Sequence, residues 1–534
     1  MRLTGLSRAD FRTSPPRIEI PRDYNAAHDL VERNLAAGRR GRTAFVDDRG
    51  AITYGELAAQ VNRCANALTG LGVEREQRVL LCLHDSIDFP IAFLGAIKAG
   101  IVPVAVNTLL TTADYEFMLR DSRARALVVS AALLPVFAPL FGKLPDLRHV
   151  LVSGGGPDTT PGRHDFAALL ARASGSHDPA ATSRDEVAFW LYSSGSTGAP
   201  KGTMHVHSSL IHTAYLHGGP VVGVREDDVV FSAAKLFFAY GLGNALTYPM
   251  AFGATAVLMA ERPTPDAVFA RLTRHRPTIF YGVPTLFAAM LASPGLPARG
   301  DVALRLATSA GEALPEHIGR RWTEHFGTDV LDGLGSTEML HVFLSNRAGA
   351  VRHGSSGTAV PGYDLRVVDD DGRPVAPGEV GELQVAGPTA AAGYWNQRDK
   401  SRATFLGGWT RSGDKYRVDA DGFYRYEGRS DDMLKVGGVY VSPVEVEAAL
   451  VTHDAVLEAA VIGREDDEQL VKACAFVVLK PGHAPTPGLA EALRHHVKSR
   501  LAPYKYPRWI EFLDELPKTA TGKIQRFKLR SPAS

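Results

Sequence analysis

The fold of this chain is decided by the stretch Tyr192-Ser193-Ser194-Gly195-Ser196-Thr197-Gly198-Ala199-Pro200-Lys201-Gly202. An apolar run over residues 187–191 leads into it and predicts a buried strand. The glycines let the backbone approach a ligand, while the hydroxyl side chains and Lys201 can bind phosphate oxygens. The stretch therefore predicts a phosphate-binding cradle, with a plain surface loop as the alternative. It is not a Walker A motif, because two residues rather than four separate Gly195 from Gly198.

Length and composition limit the possible classes of protein. A chain of 534 residues predicts more than one domain. Its 59 basic and 58 acidic side chains nearly cancel, so we expect no general affinity for nucleic acid or an anionic membrane. Three scattered cysteines, Cys64, Cys82 and Cys474, predict a reducing, cytoplasmic location and no zinc site. No stretch has the apolar length of a signal peptide core or a membrane span.

Strand and helix patterns alternate through the first two thirds of the chain. Three groups have the order strand, helix, strand. The first group is 78–83, 89–98 and 102–106. The second is 254–260, 265–275 and 278–282, and the third is 304–309, 315–326 and 329–334. Repeated units of this kind predict a large, layered α/β body with largely parallel sheets.

The pattern changes after about residue 357. Alternating apolar and polar residues at 363–369, 381–386 and 422–426, with a turn at Asp371-Gly372, predict a small antiparallel β unit. The last hundred or so residues are mixed again and predict a small α+β domain, with strands at 457–462 and 473–479 and a helix at 489–501. Ser442 and Glu445 predict a helix start with a capping box.

Two further turns carry chemistry. The segment Gly333-Leu334-Gly335-Ser336-Thr337-Glu338 follows a predicted strand, as does Ser309-Ala310-Gly311-Glu312-Ala313-Leu314-Pro315. Close glycines bring the backbone against a flat ligand, Thr337 can bind a phosphate, and the Glu338 carboxylate is a hard ligand suited to Mg²⁺. The alternative is a pair of ordinary strand-to-helix turns.

In this order along the chain, six segments resemble the motifs of the adenylate-forming superfamily of acyl-CoA synthetases, peptide-synthetase adenylation domains and luciferases. They are 192–202, 309–315, 333–338, 411–414, 428–438 and 517–526. The resemblance covers nearly the whole chain. It implies an N-terminal AMP-binding domain over 1–429 and a mobile C-terminal domain over 430–534, joined by a hinge. It also implies the use of ATP, Mg²⁺ and coenzyme A (CoA).

The resemblance implies roles residue by residue. The implied ATP-binding residues are Ser193, Ser194, Gly195, Ser196, Thr197, Gly198, Lys201, Gly311, Glu312, Ala313, Asp332, Gly333, Leu334, Asp414 and Arg429. The implied catalytic residues are Thr337, Glu338, Lys435 and Lys523, with Glu338 also holding Mg²⁺. Asp431 is the implied hinge, and Gly437 and Gly438 are implied to contact the pantetheine arm of CoA. For Lys435 and Lys523 the alternative is a solvated surface lysine.

Two segments, at 235–244 and 335–346, resemble benzoate–CoA ligases more closely, as do residues 24–27 and 30–35. The implied aryl-acid pocket comprises Phe238, Ala239, Tyr240, Gly241, Ala310, Gly335 and His341. A small alanine beside aromatic side chains leaves a flat slot for a ring. Leu334 and Val342 depart from the isoleucines usual in that family, which leaves benzoate, a hydroxybenzoate or a larger bicyclic acid such as a naphthoate open. Phe237, Phe238 and His341 have a core alternative.

The implied reaction explains the residue types. A carboxylate must attack the α-phosphate of ATP, and both are anionic, so cations must offset the charge. The expected sources of positive charge are Lys201, Lys523 and an Mg²⁺ ion on Glu338. Once the acyl-adenylate has formed, the CoA thiol displaces AMP.

Three other functions share parts of this pattern. One is a stand-alone adenylation enzyme that loads a carrier protein in trans, and it shares every motif. A non-catalytic nucleotide-binding protein would lack Glu338 or Lys523, and both are present. A luciferase-like oxygenase is compatible with the fold, but no feature of the sequence indicates one.

Overall fold

Helices and strands alternate along the chain as the apolar patterns predict. The computed structural model describes residues 5–156, 160–195, 198–430, 432–436, 439–466, 470–501, 505–518 and 524–530. The two compact units are formed by Met1–Asp364 with Val385–Thr410, and by Leu365–Gln384 with Arg411–Ser534.

The strands, in chain order, are β1 Arg8–Asp10, β2 Arg17–Glu19, β3 Thr43–Asp47, β4 Gly50–Thr53, β5 Arg78–Cys82, β6 Val102–Ala105, β7 Ala126–Ser130, β8 His149–Ser153, β9 Arg163–Asp165, β10 Val187–Gly195, β11 Gly198–Val206, β12 Val229–Ser232, β13 Thr255–Val257, β14 Ile279–Gly282, β15 Leu306–Ser309, β16 Val330–Gly335, β17 Val342–Ser345, β18 Thr358–Ala359, β19 Asp364–Val368, β20 Gly381–Ala386, β21 Gly393–Tyr394, β22 Phe405–Leu406, β23 Trp409–Val418, β24 Tyr424–Arg429, β25 Leu434–Val436, β26 Val439–Val441, β27 Val456–Glu465, β28 Val471–Leu479 and β29 Trp509–Phe512.

The α-helices are α1 Ala26–Ala36, α2 Tyr54–Gly70, α3 Asp88–Lys98, α4 Thr112–Ser122, α5 Leu134–Phe137, α6 Phe166–Arg172, α7 His207–Thr213, α8 Ala239–Leu242, α9 Tyr248–Phe252, α10 Pro265–Arg274, α11 Pro284–Ala292, α12 Glu316–Phe326, α13 Arg398–Thr404, α14 Pro443–Val451, α15 Pro487–Lys498 and α16 Arg526–Arg530. Two π-helical segments, Ala214–Gly218 and Gly243–Thr247, continue α7 and α8. No helix among the described residues has the length and apolar character needed to cross a bilayer.

Two large sheets form the body of the first unit, and both are mainly parallel, as predicted. One has the order β21-β11-β10-β6-β5-β7-β8-β9, and the other has the order β18-β17-β16-β15-β14-β12-β13-β3-β4. In the second sheet the strands from β16 to β3 are all parallel. The carboxyl ends of β14, β15 and β16 therefore meet at one edge, which is where such sheets bind ligands.

The two faces of the second sheet have different neighbours. Phe280, Ala307 and Val330 occupy one face and pack into an apolar cluster with Trp322 and Phe287. Tyr281 pairs with Thr308 on the adjacent strand, and these side chains point to the opposite face because side chains alternate along a strand.

The glycine-rich stretch is mostly strand rather than loop. Ser193 pairs with Lys201, and Gly195 with Gly198, in the antiparallel pair of β10 and β11. A two-residue connection, 196–197, lies outside the described residues. The expected cradle is therefore the end of a hairpin, because the hydroxyl and glycine residues continue the strand pairing instead of leaving it.

The second unit contains the C-terminal α+β fold and the small β unit, except for β22, which belongs to the first unit. A five-stranded sheet has the order β19-β20-β23-β22, with β24 beside β23. The predicted turn is present, with the amide of Gly372 bonded to the carbonyl of Asp369. Strands β27 to β29 form a three-stranded sheet, and α14 and α15 contribute to its core. The sequence predicted β19, β20, β24, β27, β28 and α15 from their apolar patterns and α14 from its capping residues, whereas β22, β23 and β29 were not predicted.

The predicted capping box at α14 is only half formed. The Ser442 hydroxyl accepts a hydrogen bond from the Glu445 amide, as expected of an N-cap. The Glu445 carboxylate, however, accepts a hydrogen bond from Lys505 at 2.5 Å. A charged partner outcompetes the neutral backbone amide for that carboxylate.

We predict that Gly95→Ala destabilises the chain by about 1–3 kcal/mol, because a methyl group would overpack the contact between α2 and α3. A Cβ at this position would lie 2.6 Å from the Cβ of Cys64. Urea unfolding measures the change. Gly70→Ala in the same helix pair is the control, since nothing lies within 4 Å of its Cβ. The control should be neutral or stabilising by up to about 1 kcal/mol. Equal stability of the Gly95 variant and the parent would contradict the packing argument.

Candidate functional site

A cluster of four side chains lies at the end of the β10–β11 hairpin. The Oε1 atom of Glu338 accepts hydrogen bonds from the Ser193 hydroxyl at 3.2 Å and from the Tyr394 hydroxyl at 2.7 Å. Lys201 Nζ is 3.5 Å from the same oxygen and donates to the Tyr394 hydroxyl at 3.2 Å. The side chains of Lys201 and Glu338 keep exposed fractions of 18% and 15%, so the cluster can still be reached from solvent.

The hairpin and its neighbouring strand hold this cluster. Ser193 and Lys201 face each other across β10 and β11, and Tyr394 on β21 pairs with Thr203 on the other side of β11. Three of these four side chains come from motifs that the sequence indicated. Tyr394 was missed, because its Gly-Tyr-Trp context carries no obvious chemistry and only strand pairing brings it to Glu338.

His205, also missed, fixes the backbone next to Glu338. Its Nε2 donates to the carbonyl of Thr337 at 2.8 Å. Burial lowers the pKa of His205 to about 4, so the ring is neutral at physiological pH. A neutral imidazole whose proton is on Nε2 is the tautomer that this contact requires. His205 is therefore a support for the Thr337–Glu338 turn and not a proton carrier.

The residues expected to bind adenine lie at the ends of β15 and β16. Ser309 and Asp332 are paired across these strands, and Gly311, Glu312 and Ala313 follow in the turn before α12. Gly311 has a positive φ of +100° and is exposed. Burial raises the pKa of Asp332 well above its ordinary value. Its Oδ1 has no hydrogen-bond partner among the described residues, which leaves a buried acceptor near an open turn.

The donor set at Glu338 fits a hard divalent cation shared with a phosphate. No hydrogen bond joins its second oxygen, Oε2, to any side chain or amide that the structure describes. No group of three acidic, histidine or cysteine residues gathers within the described ranges. One carboxylate with phosphate oxygens and water is the usual environment of Mg²⁺, which seldom takes an all-protein site.

The implied aryl-acid pocket surrounds the start of α8. Phe238, Ala239 and Tyr240 are each only partly buried, whereas Phe237 is 6% exposed and belongs to the core. The Tyr240 hydroxyl lies 2.6 Å from the Thr308 hydroxyl on β15. Ala310 comes directly after the last residue of β15, and Gly335 ends β16. The start of α8 and the end of β15 thus meet at Tyr240 and Thr308.

His341 is a buried histidine with a hydrogen bond on each ring nitrogen. Its Nδ1 accepts from the Tyr248 hydroxyl at 2.6 Å, and its Nε2 donates to the Tyr240 carbonyl at 3.2 Å. The ring packs so closely on the π-helical segment that a Cβ at Gly243 would lie 2.2 Å from its Cδ2. Since both nitrogens are occupied, His341 positions the Tyr240 backbone and has no free nitrogen for acid–base chemistry.

Two buried polar side chains near Tyr240 escaped the sequence analysis. Asn244 lies one helical turn beyond Tyr240 and beside its hydroxyl, yet both amide atoms lack a hydrogen bond of ordinary geometry. The Tyr281 hydroxyl lies on the face of the second sheet that is opposite to Phe280. It also lacks a hydrogen-bond partner among the described residues. In the sequence, the one indication of a polar group here is Asn244, a polar residue one turn along an otherwise apolar helix.

The second unit holds the other predicted residues. Asp414 accepts a hydrogen bond from Arg429 at 3.2 Å, across the paired strands β23 and β24. Lys435 lies in β25 and pairs through its backbone with Tyr440. The predicted residues that lie outside the described part of the chain are Ser196, Thr197, Asp431, Gly437, Gly438 and Lys523.

We predict that His341→Gln makes the protein less sensitive to acid. Burial lowers the pKa of His341 to about 3, so below pH 6.5 the unfolded chain binds a proton there that the folded chain does not. The contribution of the neutral, buried His341 ring to the free energy of unfolding is present above pH 6.5 and is lost as the pH falls toward 3. Glutamine can keep both hydrogen bonds without titrating. The stability lost between pH 7 and pH 5 should shrink by about 2 kcal/mol.

Urea unfolding at the two pH values measures this difference. His483→Gln is the matched control, because His483 is exposed in the folded protein and its removal should leave the acid sensitivity unchanged. An acid sensitivity of His341→Gln equal to that of the parent would contradict the prediction.

Comparison with known proteins gives consistent matches along the chain. Residues 32–395 match the AMP-binding enzyme family, and residues 445–523 match the AMP-binding enzyme C-terminal domain. A benzoate–CoA ligase of Thauera aromatica is 63% identical over 98% of this chain and 99% of its own. A 4-hydroxybenzoate–CoA/benzoate–CoA ligase of Rhodopseudomonas palustris is 54% identical over 95% of this chain and 94% of its own.

A solved structure gives the same picture. The crystal structure of a benzoate–CoA ligase from Burkholderia xenovorans LB400 superposes with a TM-score of 0.88 and 57% identity, covering 95% of this chain and all of the other.

Proposed function

This chain belongs to the AMP-binding enzyme family and is a benzoate–CoA ligase-like member of the adenylate-forming superfamily, and from that premise we propose that it joins an aromatic carboxylic acid to CoA. In the first half-reaction the carboxylate attacks the α-phosphorus of ATP, which forms the aryl-adenylate and releases pyrophosphate. In the second, the CoA thiol attacks the aryl carbonyl carbon, the thioester forms, and AMP leaves. The observation that carries this proposal is the 63% identity, over 98% of the chain, to a benzoate–CoA ligase.

The cluster around Glu338 is suited to the first half-reaction. Lys201 is the cation for the outer phosphates of ATP, and its hydrogen bond to the Tyr394 hydroxyl keeps it at the end of the hairpin. Mg²⁺ held by Glu338 would neutralise phosphate charge and orient the leaving pyrophosphate. Asp332, with a buried and unpaired oxygen, is suited to accept a hydrogen bond from the adenine amino group.

We propose that the acid pocket favours a single ring, as in the benzoate and hydroxybenzoate ligases that this chain resembles. Tyr240 supplies an aromatic wall, and the small side chain of Ala239 leaves room beside it. The unpaired amide of Asn244 and the hydroxyl of Tyr281 are polar groups that a ring hydroxyl could satisfy. We therefore propose benzoate and monohydroxybenzoates as the substrates, ahead of bicyclic acids.

The second half-reaction is assigned to a reorientation of the C-terminal domain, residues 430–534. Asp431 is the proposed hinge, and its rotation would exchange Lys523 for the Gly437–Gly438 backbone at the acyl-adenylate. Such a change requires only a few residues that absorb a backbone rotation. This division of labour is inferred from the motifs, since these four residues lie outside the described ranges.

ATP–pyrophosphate exchange across a panel of aryl and alkyl acids tests the proposed function. We expect benzoate or a hydroxybenzoate to give the highest kcat/KM, and free CoA thiol to disappear in step with AMP formation. A fatty acid that exceeds all aryl acids would reject the pocket assignment. Exchange without loss of CoA thiol would favour the carrier-protein alternative instead.

The Ala239→Val variant, measured on the same panel, connects this result to the pocket. Two extra methyl groups should exclude naphthoate before benzoate, because overpacking penalises the larger ring more. An equal loss of kcat/KM for all acids would show that Ala239 does not contact the ring of the bound acid.

We predict that Lys523→Ala impairs adenylation and spares thioester formation. The lysine is proposed to contact the carboxylate and α-phosphate only in the first half-reaction, and loss of such a contact typically costs about 10²–10³ in rate. The mutant is assayed for pyrophosphate exchange, and separately for thioester formation from synthetic benzoyl-adenylate and CoA. Equal losses in the two assays would show that Lys523 is not specific to the first step.

A further inference from the structure

Tyr394 stands between the two charged side chains of the proposed ATP site. Its hydroxyl donates to Glu338 Oε1 at 2.7 Å and accepts a hydrogen bond from Lys201 Nζ at 3.2 Å. A carboxylate can only accept and an ammonium can only donate, so the direction of both bonds is determined. The phenol is therefore a neutral bridge between an anion and a cation.

The bridge keeps the two charges from forming a close ion pair. Lys201 Nζ lies 3.5 Å from Glu338 Oε1, which is longer than the 2.7–2.9 Å of a charge-assisted hydrogen bond. The lysine also lies over the Tyr394 ring, 4.5 Å from its centroid, where the negative face of the ring stabilises it. Two favourable contacts with Tyr394 thus compete with direct contact to Glu338.

The backbone of Tyr394 is fixed independently of this cluster. Tyr394 pairs with Thr203 in β11, the strand that also carries Lys201. Its amide donates to the Ser401 hydroxyl at 2.9 Å, and the amide of Trp395 donates to the Gly202 carbonyl at 2.8 Å. The hydroxyl is thereby held at a set place relative to the hairpin, as a positioning group must be.

We propose that Tyr394 is a positioning residue that holds Lys201 and Glu338 apart before ATP binds. This inference rests on the proposed function of the site. With the bridge in place, Lys201 is available to a phosphate, and Oε2 of Glu338 is available to Mg²⁺. Without it, the two charges would pair directly, and each incoming Mg·ATP would first have to separate them.

Equilibrium binding of Mg·ATP, measured by calorimetry without the acid, tests this directly. Tyr394→Phe removes one oxygen atom and should raise the Kd about tenfold, as expected for loss of a hydrogen bond to a charged group. The KM of benzoate in the exchange assay should stay within about twofold. Tyr115→Phe is the control, because it also removes one buried hydroxyl, and that hydroxyl donates to the Asn107 carbonyl rather than to Lys201 or Glu338. It should leave the Kd unchanged.

A second pair of variants separates the bridge from general support of the fold. In a Lys201→Met background, no cation remains to pair with Glu338, so adding Tyr394→Phe should change the Kd less than about twofold. An unchanged Kd in the single variant overturns the inference, and so does the same tenfold loss in the Lys201→Met background. Should Tyr394→Phe not fold, Tyr394→Leu, which also lacks the hydroxyl, takes its place in both measurements.

The parent protein distinguishes this inference from the proposed function. If the parent shows no pyrophosphate exchange with any aryl acid, the function itself is wrong. If the parent exchanges with benzoate while Tyr394→Phe binds Mg·ATP as tightly as the parent, only the role of Tyr394 is wrong.

Discussion

The pairing of β11 with a strand on each side is the constraint on which the candidate site depends. Lys201 lies on β11, Ser193 lies across from it on β10, and Tyr394 comes from β21 on the other side. These residues are separated by up to two hundred positions in the sequence. The backbone hydrogen bonds of the sheet place these residues within reach of Glu338 independently of the charged contacts. The electrostatics of the site is therefore a consequence of strand order.

The residues proposed for the acid pocket depend on a different feature, the change from α- to π-helix after Leu242. The Gly243–Thr247 segment is wider than an α-helix, and π-helical segments of this kind are common at functional sites. Here Gly243 lets the His341 ring pack against the helix, and that ring holds the Tyr240 carbonyl. Both imidazole rings in this region, those of His341 and its neighbour His217, are neutral at physiological pH, because burial lowers the pKa of each.

The sequence predicted the elements well and the site only in part. Alternation and turn chemistry located the β-α-β groups because both are local properties of the chain. The glycine-rich stretch predicted a phosphate-binding cradle, but not that its described residues would pair as strands up to Gly195 and Gly198. Tyr394 and His205 were missed because their partners are remote in sequence, and the half-formed cap at Ser442 reflects competition from distant Lys505. Each gap concerns a contact that only the tertiary fold creates.

The path of the chain between the two units has a consequence for dissecting or recombining this protein. The chain passes between the units three times, after residues 364, 384 and 410. No single cut therefore separates these two compact units. A fragment ending at residue 364 would lose β21 and leave an open edge on β11, an invitation to aggregation. Exchange of the smaller unit between related enzymes must carry residues 365–384 along with the part that begins at 411, and must leave 385–410 behind.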